Sequence, residues 1–295
     1  MEVKAFKNSS AVIAARNEMT PNIHNVAIIT KIGSSEADSA AMKVASLLNK
    51  SKIKIHSVLP FIIEDAIPVK PEELKDLKLD LVFAIGGDGT TLRAFRMAPG
   101  EVPLFSINSG GHRGILSETD TQSIEEAVNA ILEGRYFYDC RIRIQASVNG
   151  RLFPPVLNDI LVIRVNLTRT PLLSIMLMGD EINQRMDGVL ISTPTGSTGH
   201  SFSVGGPVLH EGMSCLSLTP VASVNRMPHI VLPTEEILIR STHESHLVLD
   251  GQETFKIHAE DPIKIIRCSE DAIFLRLHRK GMRQLTKLGF SRFGV

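Results

Sequence analysis

The hydrophobic periodicity of this 295-residue chain changes near residue 138. Before that point, short β-branched runs such as 81–85 alternate with helix-spaced segments such as 35–48. After it, short alternating strands follow one another almost without interruption. Alternating strands and helices indicate a parallel sheet covered by helices, whereas consecutive alternating strands indicate a sandwich or curved sheets. We therefore predict an α/β N-terminal domain with a parallel sheet over 1–138, a mostly-β C-terminal domain over 139–278, and a final segment over 279–295 that packs back on the first domain.

Local signals mark the ends of several predicted elements. Ser35 followed by Asp38 fits a capping box at the start of the first helix. Gly134 is suited to end the helix over 123–134, because glycine readily adopts the left-handed conformation common after a helix. Asn149-Gly150 is a strong signal for a two-residue hairpin turn. These signals predict where elements begin and end, but they do not indicate a function.

Charge and cysteine content exclude several classes of protein. Lys+Arg and Asp+Glu both number 32, so we expect neither nucleic acid nor a membrane surface as a partner. The 3 cysteines are far apart and show no CxxC spacing, which argues against a disulfide framework or a structural zinc site. No apolar run approaches the roughly 20 residues that cross a bilayer, and the first residues lack a signal-peptide core. We therefore expect a cytoplasmic location.

The run Gly86-Gly87-Asp88-Gly89 lies between a predicted buried strand and a predicted helix. In open α/β sheets, ligands bind beyond the carboxyl ends of the strands. Glycines there allow positive φ angles, and with a helix that begins near Thr90 they expose backbone N–H groups to a phosphate. The alternative is a plain turn, but residues 90–98 have helical spacing rather than the alternation of a second strand. We therefore predict that the phosphate donor is bound by Gly86, Gly87, Gly89 and Thr90.

Asp88 is an unexpected residue in a phosphate-binding loop, because phosphate repels its carboxylate. Its position is explained if the carboxylate takes a proton from an attacking hydroxyl, or binds the magnesium ion that neutralises the charge. We therefore predict Asp88 as the catalytic residue and as a candidate magnesium ligand. Arg93, one turn into the predicted helix, is either a further contact to the donor phosphates or an exposed arginine.

Further glycine- and hydroxyl-rich segments follow other predicted strands. The glycines of 107–116 would line the same crevice as the first glycine run. The segment 187–207 offers small hydroxyl residues that suit sugar hydroxyls and phosphates, with a polar surface loop as the alternative. Its hydroxyl residues are Thr193, Thr195, Ser197 and Thr198. Asn158-Asp159 interrupts an apolar strand and suits a ribose or a base edge, unless it forms a bulge or an outward-facing pair. Asp250-Gly251 predicts a hairpin turn.

Taken in chain order, these segments resemble the NAD kinase family. The resemblance covers about residues 25–280, and its most specific part is 187-DGVLISTPTGST-198. The GGDG run alone also occurs in lipid kinases and phosphofructokinases. The motifs that carry the resemblance are Gly86-Gly87-Asp88-Gly89, Asn108 with Gly111 and Gly114, Asn158-Asp159, the 187–198 block, Gly205-Gly206-Pro207, Thr219-Pro220 and Asp250-Gly251.

The resemblance implies a reaction, cofactors and site residues. It implies magnesium-dependent transfer of a phosphoryl group from ATP or polyphosphate to the 2′-hydroxyl of the adenosine ribose of NAD, giving NADP. Asp88 would be the base, and the enzyme would be a homo-oligomer, a dimer or a tetramer. Arg185 and Asp187 would complete the site, within the chain or from the neighbouring subunit. The NAD-binding residues that the resemblance implies are Asp88, Gly89, His112, Arg113, Asn158, Asp159, Arg185, Asp187, Thr198, Gly199, His200 and Ser203.

The chain departs from the family pattern in three places, one of which is the region 219-TPVASVNRMPH-229, where the commoner form is TP-x-x-PH. His200 stands where the family usually has tyrosine, and Ile115 where it usually has phenylalanine. These departures bear on substrate detail, such as NAD against NADH, more than on the reaction class. Two other functions stay open: a lipid kinase of the diacylglycerol or sphingosine type, and a dinucleotide-binding sensor without catalysis. The 187–207 block argues against the first, and intact Asp88 with its glycines argues against the second.

Overall fold

The computed structural model describes residues 23–110, 114–278, 283 and 288, and organises them around two β-sheets. The helices are α1 (Ser35–Lys50), α2 (Asp88–Met97), α3 (Ile124–Leu132) and α4 (His200–Ser203). None of these helices is long and apolar enough to cross a bilayer. The strands of the first sheet are β1 (Asn25–Thr30), β2 (Lys54–Val58), β3 (Ile67–Val69), β4 (Leu81–Gly86), β5 (Leu104–Asn108), β6 (Thr119–Asp120), β7 (Phe137–Arg141) and β19 (Ala272–Arg276). The strands of the second sheet are β8 (Ile144–Val148), β9 (Arg151–Leu152), β10 (Asp159–Arg164), β11 (Leu172–Leu177), β12 (Asp180–Ser192), β13 (Cys215–Ser223), β14 (Ile230–Pro233), β15 (Ile237–Ser241), β16 (Ser245–Leu249), β17 (Glu253–Ile257) and β18 (Ile263–Arg267).

The first sheet is parallel over most of its width and carries helices on both faces. Its strand order is β3-β2-β1-β4-β5-β19-β7, and β6 pairs with β5. Only β7, at one edge of this described sheet, runs antiparallel to its neighbour. α1 and α3 pack on one face through residues such as Val44 and Val128, and α2 packs on the other through Leu92 and Phe95. This arrangement confirms the predicted α/β unit with a parallel sheet.

The second sheet is antiparallel and curls around its own apolar core. Its order is β17-β16-β10-β12-β11-β15-β18-β8-β9, with β13 and β14 attached beside β12. The long β12 pairs with β11 along its first half and with β10 and β13 along its second half, so the sheet bends around this strand. Fully buried side chains such as Ile160, Val189 and Ile263 fill the core. The predicted mostly-β unit with curved sheets is confirmed.

The sheet topology bears on the predicted domain limits. β7 lies across residue 138, and β19 joins the first sheet although it is near the end of the chain. A local pattern cannot show this, because the pairing of Phe274 with Leu104 joins distant parts of the sequence. The limits at 138 and 278 stay predictions. Of 279–295 the structure describes Arg283 and Leu288, and Arg283 Nη2 lies 2.7 Å from a carboxylate oxygen of Glu118.

The structure revises one predicted helix cap and agrees with two predicted turns. α1 is capped by Ser34 rather than Ser35, because the Ser34 Oγ accepts a hydrogen bond from Ala37 N at 3.3 Å. Gly134 follows α3 with φ +75°, in the left-handed region predicted for it. Asn149-Gly150, with φ of 50° and 82°, joins β8 to β9 as a two-residue turn.

Six charged side chains form a largely buried ionic network: Glu118, Asp139, Arg141, Glu211, Arg276 and Arg283. Arg276, on β19, is 1% exposed and donates from Nη1 to Leu116 O at 2.7 Å. Burial lowers the pKa of Arg276 to about 10. Glu118 Oε1 accepts hydrogen bonds from the backbone N–H groups of Leu277 and His278. The network therefore ties the segment after β5 to the end of β19.

Candidate functional site

The glycine run lies at the carboxyl end of β4, where the first sheet changes the direction of its connections. β1 leads through α1 to β2 on one side, and β4 leads through α2 to β5 on the other. Such a switch point leaves a crevice beyond the strand ends, and ligands of open α/β sheets bind there. Lys31, directly after β1, donates its backbone N–H to Ile85 O at 2.8 Å, so the two strand ends lie side by side. The predicted phosphate loop therefore borders this crevice.

Close contacts, rather than unusual backbone angles, explain two of the three glycines of this run. Gly87 has φ −94°, and Gly86 and Gly89 also lack positive φ, which corrects the expectation of left-handed angles. A Cβ on Gly86 would lie 2.3 Å from Thr90 Oγ1, and one on Gly89 would lie 3.0 Å from Gln252 Nε2. A Cβ on Gly87 would meet nothing within 4 Å in the described part of the chain. The space beside Gly87 is therefore open to a ligand.

Asp88 is the first residue of α2, and two backbone N–H groups hold its carboxylate. Ile115 N donates to Oδ2 at 3.2 Å, and Leu116 N donates to Oδ1 at 3.0 Å. Gly114 permits this approach, because a Cβ there would lie 2.6 Å from Asp88 Oδ1. A carboxylate has about four acceptor positions, so two hydrogen bonds fix its orientation and leave lone pairs for a proton or a metal ion.

Thr90 and Arg93, both predicted to contact donor phosphates, make contacts within the first half of the chain. Thr90 is buried, and its N–H donates to Gly87 O at 3.0 Å. Arg93 Nη2 donates to Thr30 O, at the end of β1, at 2.5 Å. Burial, and secondarily the charge of Arg96, lowers the pKa of Arg93. Both residues support the crevice from within the fold, and their contact with a donor stays a prediction.

Asn158 and Asp159 lie at the start of β10, against the loop that follows β12. Thr193 N donates to Asn158 O at 2.9 Å. A Cβ on Gly196 would lie 2.2 Å from the same oxygen, so this approach requires glycine. The Asn158 Oδ1 is buried and has no hydrogen-bond partner among the residues the structure describes. Because an unpaired buried oxygen is costly, this atom marks a point where a bound ligand would supply a donor.

Several predicted NAD-binding residues gather around Gly199. A Cβ on Gly199 would lie 3.9 Å from Asp159 Oδ2 and 4.0 Å from Asn158 Nδ2, so the two side chains face this glycine. Ser203 Oγ donates to Gly199 O at 3.4 Å within the short helix α4. We call this group the nucleotide cluster; its members are Asn158, Asp159, Thr198, Gly199, His200 and Ser203.

Two hydroxyls expected to face a ligand instead hold the loop after β12. Thr193 Oγ1 donates to Leu157 O at 2.5 Å. Ser197 Oγ donates to Pro194 O at 2.7 Å and accepts from Leu209 N at 3.0 Å. Because backbone groups already satisfy these hydroxyls, the residues shape the loop rather than present donors to a substrate.

Arg185 and Asp187 lie away from the nucleotide cluster. Asp187 pairs with Arg164 at 2.9 Å, and Arg185 Nη1 donates to Thr170 O at 3.0 Å. The cluster follows the other end of β12, and the five steps from Asp187 to Ser192 span roughly 16 Å at about 3.3 Å each. Within one chain these two residues do not join the cluster, so their predicted role would have to come from a neighbouring subunit and stays a prediction.

The two halves of the candidate site meet through contacts that the sequence does not indicate. Ile115, Leu116 and Thr195 line one cavity of about 10 Å³, which has room for about one water molecule. Gln252, in the turn between β16 and β17, donates from Nε2 to Gly89 O at 3.0 Å. The segment that holds Asp88 therefore borders the loop after β12, and the glycine run borders the turn that precedes β17. Two predicted NAD-binding residues lie outside the part of the chain that the structure describes: His112 and Arg113.

Comparison with known proteins decides the family. The ATP-NAD kinase N-terminal domain family matches residues 26–136, and the ATP-NAD kinase C-terminal domain family matches residues 157–277. The NAD kinase of Thermococcus kodakarensis is 32% identical over 243 residues, which are 78% of this chain and 83% of that protein. The chain belongs to the NAD kinase family. The NAD kinase of Aromatoleum aromaticum is 30% identical over 278 residues, 89% of this chain and 91% of that protein. The prediction of an enzyme of the NAD kinase family is confirmed.

Two solved structures share the fold of this NAD kinase family member. A yeast NADH kinase complexed with NADH aligns with a TM-score of 0.82 at 20% identity, over 92% of this chain and 89% of that one. An NAD kinase from Archaeoglobus fulgidus in complex with ATP aligns with a TM-score of 0.71 at 23% identity, over 90% of this chain and 97% of that one. At such identities the likeness shows the fold.

Proposed function

We propose that this NAD kinase family member transfers the terminal phosphoryl group of ATP to the 2′-hydroxyl of the adenosine ribose of NAD, giving NADP. The observation that carries the proposal is the position of Asp88. Its carboxylate is held by Ile115 N and Leu116 N at the crevice between the glycine run and the nucleotide cluster. Relatives named NAD kinase and an ATP complex of one fold relative support the choice of substrates.

On the acceptor side, the nucleotide cluster suits the adenosine portion of NAD. The unpaired Asn158 Oδ1 would accept a hydrogen bond from the ligand, and the carboxylate of Asp159 would accept one from a ribose hydroxyl. Gly199 keeps the centre of the cluster small, because a Cβ there would lie 3.2 Å from Gly196 O and 3.9 Å from Asp159 Oδ2. Thr198, His200 and Ser203 complete the cluster.

Asp88 would act as the general base of a direct transfer. The ribose 2′-hydroxyl oxygen attacks the terminal phosphorus, the bond from that phosphorus to the diphosphate oxygen breaks, and the hydroxyl proton passes to Asp88. Such transfers depend mainly on positioning and on electrostatic stabilisation of the phosphoryl oxygens. The two N–H groups on Asp88 supply the positioning, since they fix which carboxylate lone pairs face the crevice.

On the donor side, the open space beside Gly87 and the N-terminus of α2 suit the phosphates. A groove of about 430 Å³ lies between α1 and α3 and is lined in part by Ser39, Lys43 and Ser109. Ser109 N donates to Gly86 O at 3.3 Å, so this groove adjoins the glycine run. We assign the groove to the part of the donor beyond its phosphates.

The donor set at Asp88 fits magnesium that is held together with the substrate. In the described part of the chain, no three His, Cys, Asp or Glu side chains gather as a metal site. Mg²⁺ commonly uses one or two carboxylates together with substrate phosphates and water, and Asp88 retains acceptor positions for this purpose. When bound, the ion would neutralise phosphate charge beside Asp88. A homo-oligomer in which a neighbour supplies Arg185 and Asp187 is part of the same proposal, as is a cytoplasmic location.

The test is NADP formation from NAD and Mg²⁺ with either ATP or polyphosphate as donor. We expect Asp88→Asn to lower kcat by roughly 10²–10⁴, the usual contribution of a general base. Asp76→Asn changes an exposed carboxylate five residues before the amino end of β4, the end opposite the glycine run, and should keep the wild-type rate. An Asp88→Asn rate within threefold of wild type would remove Asp88 from the mechanism. Wild-type protein that binds NAD but makes no NADP with either donor would overturn the proposed function.

A further inference from the structure

A buried ion pair joins α2 to the second sheet. Arg96 Nη1 lies 3.0 Å from Asp250 Oδ2, and the two side chains are 6% and 0% exposed. Burial raises the pKa of Asp250, while backbone N–H groups and the charge of Arg96 oppose that rise. Burying two charges has a large desolvation cost, so such a pair is weak evidence for added stability. The pair is therefore better explained by the geometry that it fixes than by the stability that it adds.

Asp250 organises the backbone of the nucleotide cluster. Its Oδ1 accepts hydrogen bonds from Asn158 N at 2.8 Å and Asp159 N at 3.3 Å, and its Oδ2 accepts one from Leu157 N at 3.4 Å. Asp250 has φ +49° and Gly251 has φ +65°, so the predicted hairpin turn between β16 and β17 is present. The turn is therefore more than a connection, because its carboxylate fixes the segment that carries the proposed adenosine contacts.

Arg96 fixes the helix that begins with the proposed base. It lies eight residues after Asp88 on α2, roughly 12 Å along the helix axis. Besides Asp250, Arg96 donates from Nε to Glu253 Oε1 at 3.0 Å and from Nη2 to Gln252 Oε1. The Gln252 amide in turn donates to Gly89 O, one residue after the base. The turn at 250–253 thus contacts α2 both at its start and at Arg96.

From these contacts we infer that Arg96 and Asp250 are positioning residues, which set the distance and orientation between the base Asp88 and the bound acceptor. Neither is a catalytic residue, since the contacts to the Asp88 carboxylate come from Ile115 and Leu116. The inference rests on the proposed function, because it assigns the two ends of the pair to base and acceptor. It predicts that loss of the Arg96 contact lowers kcat more than it weakens NAD binding. Each half of the site would stay intact, but the position of one half relative to the other would no longer be fixed.

The experiment compares Arg96→Met with Arg143→Met. Arg143 is also buried and also anchors the last turn of α2, through Phe95 O at 3.3 Å, but it makes no hydrogen bond to the 250–253 turn in the described structure. Kinetics with NAD and ATP give kcat, equilibrium titration gives the NAD dissociation constant, and thermal unfolding gives Tm for each variant. We expect Arg96→Met to lower kcat by about 10- to 100-fold, the effect of roughly an ångström of misplacement. Its NAD dissociation constant should stay within threefold of wild type.

Arg143→Met should lower Tm by a similar amount and keep kcat within threefold of wild type. Arg96→Lys, which keeps the buried charge but loses the forked contacts, should give a kcat between those of wild type and Arg96→Met. Asp250→Asn, which has nearly the same shape, should lower kcat at least tenfold and also weaken NAD binding, since it touches Asn158 and Asp159. This variant decides the matter if Arg96→Met does not fold.

Three outcomes would overturn the inference. The first is a folded Arg96→Met or Asp250→Asn protein with kcat within threefold of wild type. The second is an equal loss of kcat in Arg143→Met, which would show that any weakening of α2 has the same effect. The third is a loss confined to NAD binding. Wild-type protein that makes no NADP would instead overturn the proposed function, so the two failures are distinguishable.

Discussion

The close approach of a carboxylate, rather than an unusual backbone angle, requires glycine at position 114. A Cβ at this position would lie 2.6 Å from Asp88 Oδ1 and 2.9 Å from Ser117 Oγ, and φ is not in the left-handed region. Because Gly114 has no side chain, Ile115 N and Leu116 N can reach the carboxylate of the proposed base.

Replacing Gly114 by alanine should affect kcat more than it affects the stability of the fold. The added methyl group must displace either the Asp88 carboxylate or the segment that holds it, so we expect kcat to fall about 10- to 100-fold. Gly212→Ala is the matched control, because its Cβ would lie 3.4 Å from the His210 ring, an ordinary contact. Steady-state NADP formation by both variants checks this, and equal rates would show that the Asp88 geometry tolerates the shift.

Single residues were predictable where their type is rare in its context. Asp88 among glycines indicated chemistry from sequence alone, and Asn158-Asp159 within an apolar strand indicated a binding pair. Thr193 and Ser197 show the limit, because a hydroxyl suits a ligand and a backbone carbonyl equally well. Only the structure shows that Leu157 O and Pro194 O are their acceptors.

At the scale of elements, α1 shows how a one-residue difference in a cap can be tested. The sequence allows a cap at Ser35, whereas the structure uses Ser34 Oγ to accept from Ala37 N. We expect Ser34→Ala to lower the free energy of unfolding by about 1 kcal/mol, the usual value of an N-cap. Ser35→Ala should change it by less than about 0.5 kcal/mol, as exposed substitutions do. Urea unfolding of both variants measures the difference, and a larger cost at Ser35 would contradict the cap.

The elements missed by the sequence pattern have identifiable reasons. β13 contains Pro220, which opposes Val189 of β12, and proline is a signal against a strand inside a sheet. β7 contains charged residues on a sheet edge, where hydrophobic alternation is weak. Helices and strands with strong periodicity, such as α3 and β4, were predictable because each buries a continuous set of its own side chains.

For the whole molecule, the ionic network makes stability depend on pH. Burial by itself raises the pKa of Asp139, but hydrogen bonds and charges from Arg141 and Arg276 outweigh it and hold the pKa below its usual value. A carboxyl group with a lowered folded pKa stabilises the fold above its unfolded pKa, near 4, and loses that contribution as the pH falls through the folded pKa. The sign is therefore a loss of stability on acidification.

We expect the free energy of unfolding to decrease as the pH is lowered from about 5 towards 2, and Asp139→Asn to remove part of that decrease. Urea unfolding at a series of pH values measures it for wild type and variant. Asp65→Asn, at an exposed position, serves as the control and should keep the wild-type pH dependence. If the free energy of unfolding falls by the same amount in wild type and in Asp139→Asn over this pH range, Asp139 does not cause the loss of stability in acid.

The contacts that assemble the site are the part of the molecule least accessible to sequence reasoning. Arg96 and Asp250 are 154 positions apart, and Gly89 and Gln252 are 163 apart. In the sequence, each of these residues resembles an exposed charge or part of a turn. Its partner is brought to it only by the packing of the two sheets, which a local pattern does not predict. The fold class followed from local periodicity, whereas the relative position of its halves did not.

The position of β19 has a consequence for the order in which the chain can fold during synthesis. β7 reaches the first sheet only through β19, since the strand order is β5-β19-β7. Until residue 276 has left the ribosome, β5 keeps most of an open edge and β7 has no partner in that sheet. Domains usually fold in the order in which they are made. Here the first sheet stays incomplete until β19 has been made, so the nascent protein carries an exposed sheet edge while the whole second sheet is synthesised.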